Sequence, residues 1–72
     1  MTYIVMEIQA PKEGTAVTLV TAHDTINNAN TKYHAILSVA AESQVYNHSA
    51  VLLTSSGDYL KSEGYIHETV AE

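Results

Sequence analysis

Apolar and polar positions change period several times along this 72-residue chain, and each change marks an element. Tyr3 to Gln9 alternates, with Ile4, Met6 and Ile8 on one side and Tyr3, Val5, Glu7 and Gln9 on the other, which predicts a strand over 3–9. Ala10 to Thr15 holds the only proline and a glycine and reads as a turn. Ala16 to Ala22 is rich in β-branched residues and predicts a second strand over 16–22, the two forming a hairpin. The period then lengthens. Ile26, Ala29, Tyr33, Ile36, Leu37 and Ala40 recur at three- and four-residue spacings, which predicts a helix over 24–43 with its apolar stripe on a sheet. Asp24 stands where an N-cap carboxylate would meet the first free amides.

Apolar residues resume in Ser49 to Thr54, a strand over 49–54, and Ser55-Ser56-Gly57-Asp58 is a turn signal. Tyr59 to His67 alternates again, a strand over 59–67, and residues 68–72 read as a frayed tail. Gly64, inside that last strand, is expected to mark a bulge or a close backbone approach. The chain is thus a single domain over 1–72 of α+β class, ββαββ. Its expected sheet is four-stranded and antiparallel, in the order 2-1-3-4, with the helix packed on one face.

One helix covers one sheet face. The helix is expected to sit on Ile4, Met6, Ile8, Leu60, Ile66 and half of the second and third strands. That leaves Tyr3, Val5, Glu7, Tyr59, Lys61, Glu63 and Tyr65 open, with His67 beside them. This open set is the expected interface. Tyrosine combines a large contact area with a polar tip, which suits an interface. The alternative is an ordinary solvated sheet face. A domain this short buries only about 60% of its unfolded surface, which favours a second copy or another protein as cover.

Composition narrows the remaining classes. There is no cysteine, so disulfides, thiolate zinc sites and cysteine nucleophiles are excluded. Eight acids against three basic residues, all lysine, give a net charge of −5 and no basic patch. Nucleic-acid binding is therefore not expected, because phosphate contacts dominate that affinity. The start of the chain has no basic segment before its apolar run, and no run reaches the length of a membrane helix. A cytoplasmic protein with no membrane partner is expected. Ser49, Ser55 and Ser56 lack a nucleophile elbow, and the three glycines are too far apart for a phosphate loop.

The histidines carry the remaining candidate chemistry. His23, His48 and His67 are candidate metal ligands, with Asp24 or Glu63 as a carboxylate partner, but no HExxH or HxH spacing supports a resident metal. His34 is expected to face solvent beside a buried Tyr33. The sequence therefore points to a non-enzymatic, homodimeric interaction module without a cofactor. The alternative is a metal- or small-ligand-binding protein using the histidines. A further alternative is an acidic inhibitor that occupies a basic site.

The segments YIVMEIQ, KYHAILSVAA, HSAVLLTSSG and KSEGYIHE, taken together, resemble an uncharacterised family of short ββαββ proteins from gut Gram-positive bacteria and their prophages. The resemblance covers most of the chain, least so at Ala10 to Thr15 and in the tail. It implies a bacterial or prophage origin and an accessory role, and it carries no catalytic residue over.

Overall fold

A computed structural model describes residues 1–67; the tail expected at 68–72 lies outside the described residues. Strand β1 (Tyr3–Ala10) is followed by β2 (Val17–His23), helix α1 (Ile26–Ala41), β3 (Asn47–Thr54) and β4 (Tyr59–Ile66). The sheet order is β2-β1-β3-β4 with antiparallel neighbours throughout, so the expected ββαββ topology holds. Both β2 and β3 run antiparallel to β1, which lies between them. They are therefore parallel to each other, a relation a tight hairpin cannot make, and α1 is the crossover that joins them.

The helix starts one residue later than its acid suggested. Thr25, not Asp24, is the N-cap: its backbone is extended and its Oγ1 accepts from the Asn28 amide at 3.1 Å. A hydroxyl one residue nearer the first turn wins over the charge. At the other end the Glu42 and Ser43 amides close tight turns onto Val39 and Ala40. Between them Ala29, Tyr33, Ile36, Leu37 and Ala40 are buried.

The larger departure concerns which sheet face the helix covers. The core joins those helix residues to Val5, Ala50 and Leu52, with Tyr3 and Tyr65 packed against it. Val5, expected in an open interface, is 1% exposed, whereas Ile66, expected in the core, is 62% exposed. Register places Val5 opposite Leu52, and Leu52 opposite Lys61. The odd-numbered face of β1 is thus the covered one. Ile4, Met6 and Ile8 face away from the helix, and Leu60 stands 43% exposed.

Two features explain the reversal. Ala50 on the sheet and Ala29 and Ala40 on the helix are fully buried, and these small residues let helix and sheet approach closely. Glu7 and His48, the polar residues that argued against this face, meet each other at 2.6 Å and so can be buried. Lys61 lays its ammonium 4.7 Å from the centre of the Tyr33 ring, a cation–π contact that gives a charged residue a place on the covered face.

Gly64 pairs regularly with Ser49, and the irregularity lies instead between Leu52 and Leu53, where Leu60 is the extra residue of β4. The bulge brings Tyr59 opposite Leu53 rather than onto the helix side. Gly64 serves close approach: a Cβ there would stand 2.5 Å from the Ser49 Cβ and 3.3 Å from its Cα. A Cβ cannot rotate away, so Gly64→Ala is expected to destabilise by about 1–3 kcal/mol. A lowered denaturant midpoint with an unchanged slope would show it; an unchanged midpoint would contradict it.

Candidate functional site

The sheet's covered face carries the chain's buried polar chemistry. Register sets Gln9 directly opposite His48 and places Glu7 one step along the same face. His48 is 2% exposed. Glu7 Oε2 takes hydrogen bonds from His48 Nε2 at 2.6 Å and from Gln9 Nε2 at 3.0 Å. Burial pushes the Glu7 pKa up, but the hydrogen bonds from His48 and Gln9 and the charges of His48 and Lys32 outweigh it and hold Glu7 below its ordinary value. A deprotonated carboxylate only accepts, so His48 Nε2 carries the proton in this bond. His48 Nδ1 is buried and makes no hydrogen bond. Nothing in the sequence joined these residues, which lie 41 positions apart.

A carboxylate-oriented imidazole is half of a nucleophilic constellation. The candidate serines Ser49, Ser55 and Ser56 do not complete it. Ser49 follows His48 on β3 and so points to the opposite face. Ser55 and Ser56 lie in the turn beyond Thr54, about 20 Å along the strand at 3.3 Å per residue. The pair reads as a structural polar bridge between β1 and β3 beneath the helix.

The candidate metal ligands do not converge. His23 Nε2 bonds Thr21 Oγ1 at 2.9 Å on the β2 edge, and His48 is held by Glu7. His67 Nε2 donates to the Ala40 carbonyl at 2.7 Å, satisfying the helix C-terminus, and its ring stacks on Tyr65. No group of three potential ligands stands together among the described residues. His34 is exposed as expected, with its ring edge-on to Tyr33 at 5.4 Å. A cleft of about 440 Å³ lies between the β1–β2 turn and the loop after α1, lined by Gln9, Lys12, Val17, Gln44, Val45 and Tyr46 among others.

The residues expected to form an interface are divided by the structure. Val5 is core, Tyr3, Glu7, Lys61 and Tyr65 are half-buried along the helix side, and Glu63 is exposed there. Tyr59, turned by the bulge, is 62% exposed and bonds Ser62. The opposite face carries Ile4, Met6, Ile8, Val20, Val51 and Leu53, with no element of the described chain packed over them. Ile4, Met6 and Ile8 of this set were expected beneath the helix.

Compared with family models, curated proteins and solved structures, the chain matches none. No helix among the described residues is long and apolar enough to cross a membrane.

Proposed function

We propose that the protein is a small non-catalytic interaction module whose bare sheet face packs against the same face of a second copy. The observation that supports this is the apolar face itself. Strands of seven or eight residues are about 25 Å long, and four of them span about 19 Å. Their flat area, with the polar positions Thr18, Ser49 and Ser62 included, is thus about 500 Å². Two copies would together bury about 1,000 Å² before side-chain relief is counted, which reaches the threshold for a specific interface. A two-fold axis matches such a self-complementary surface. The acids need not oppose it, because Ile4, Met6, Ile8, Val20, Val51 and Leu53 are uncharged.

This keeps the role expected from the sequence and moves it to the other face. A cytoplasmic location and an accessory role in a bacterium or prophage, as the family resemblance implies, belong to the same reading. Met6 sits between Val20 and Val51 at the centre of the face. Met6→Lys is expected to halve the particle mass in light scattering while the circular dichroism stays unchanged. A wild-type protein of one-chain mass at millimolar concentration, or a variant of unchanged mass, would refute the proposal.

A further inference from the structure

The two edges of the sheet are β2 and β4, and they differ in how they are protected. Exposed edges template pairing with other strands, and proteins blunt them with charges, prolines and bulges. The β4 edge has such devices: Lys61, Glu63 and the bulge at Leu60. The β2 edge has none. Its sequence, VTLVTAH, contains no proline, lysine or acid. The helix leaves β2 largely bare, so its apolar residues stand out on both faces: Val17 is 55% exposed and Leu19 51% on one, Val20 58% on the other. A strand that is apolar on both faces suits the interior of a sheet.

We propose that β2 pairs antiparallel with β2 of a second copy, continuing the sheet across a two-fold axis at Val20. The pleat restricts the register. Partners must point to the same face, so the axis passes through a residue and not between two residues. Val20 is the midpoint of Val17–His23, and only there do all seven residues pair. Val20 then meets Val20, Leu19 meets Thr21, Thr18 meets Ala22 and Val17 meets His23. The two Leu19 side chains become diagonal neighbours about 7 Å apart on the helix side. The ladder adds about six to eight hydrogen bonds between copies. Two chains of charge −5 repel, but β2 brings no acid or lysine to the contact, so the repulsion is screened by salt.

Edge pairing uses the outward backbone groups of β2 and face packing uses the apolar side chains of the bare face, with Val20 alone belonging to both. Together they give a particle of four 7.8 kDa chains with two-fold axes of both kinds. Amide exchange measured by NMR on the wild-type protein separates them. In an unpaired β2, alternate amides point away from β1 and exchange freely; in the paired edge, consecutive β2 amides are protected. A mixed-label sample should also show contacts between copies at Val20. Leu19→Lys, at an exposed site, is expected to halve the mass and free the alternate amides, with β1 protection intact. Fast exchange of alternate β2 amides in an assembled wild type would overturn edge pairing and leave face packing standing. Met6→Lys with unchanged mass, while Leu19→Lys halves it, would overturn face packing and leave edge pairing standing.

Discussion

His48→Ala is expected to destabilise the fold by about 3 kcal/mol, the lower part of the range for stranding one member of a buried pair. The loss combines an empty space under the helix with a Glu7 carboxylate deprived of its shortest hydrogen bond. The lower part applies because the Glu7 side chain keeps 16% of its exposure and water can partly replace the imidazole. A domain of 72 residues has about 4–10 kcal/mol of stability in total, so the change is a large fraction of it. Chemical denaturation at neutral pH measures it; a loss under about 1 kcal/mol would mean that the pair does not hold β1 to β3.

The same pair sets a pH dependence. Glu7 has a folded pKa below its ordinary value near 4.5. Its contribution is therefore fully present above that value and is lost as pH falls through the lower, folded one. Glu7→Gln keeps an oxygen acceptor but cannot ionise. The stability gap between wild type and Glu7→Gln is expected to be widest near neutrality and to close as pH falls below about 4.5. A gap that stays constant down to pH 3 would show that the charge contributes nothing.

Leu52→Ala and Leu53→Ala, adjacent in sequence, are expected to behave differently, because the two side chains lie on opposite faces. Leu52 is 1% exposed beneath the helix, and its truncation is expected to cost about 2–5 kcal/mol whatever the protein concentration. Leu53 lies on the bare face opposite Ile4. Its loss acts on the contact between copies, so its cost should depend on concentration and shrink on dilution. Thermal melts of both variants over a hundred-fold concentration range make the comparison. If Leu53→Ala proves the costlier at high dilution, the faces are reversed and the core lies on the other side.

The chain's pattern was enough for the elements and their order. Alternation over Tyr3–Gln9, the three-four stripe from Ile26 to Ala40 and the Gly57 turn are local signals, because strand and helix periods are properties of consecutive residues. Order 2-1-3-4 is one arrangement open to two hairpins joined by a crossover, and it is the one the strands adopt. That β2 is an edge whose apolar residues stand bare beside the helix comes from the packing alone. Alternation divides residues into two sets without saying which set meets the helix. The more apolar set of β1 was the natural choice.

Only the tertiary structure decided otherwise. Small residues at Ala29, Ala40 and Ala50 admit the helix, and a hydrogen bond between Glu7 and His48, distant in sequence, makes a polar face fit for burial. The bulge at Leu60 turns Tyr59 to the other side, and Gly64 answers to the backbone of Ser49 on the neighbouring strand. Each depends on contacts between strands, which periodicity within one strand does not encode. The sequence by itself determined that one helix must leave half of a four-stranded sheet bare. Packing determined that the bare half is Ile4, Met6, Ile8, Val51 and Leu53, because satisfied polar groups can be buried and apolar ones can be left for another surface.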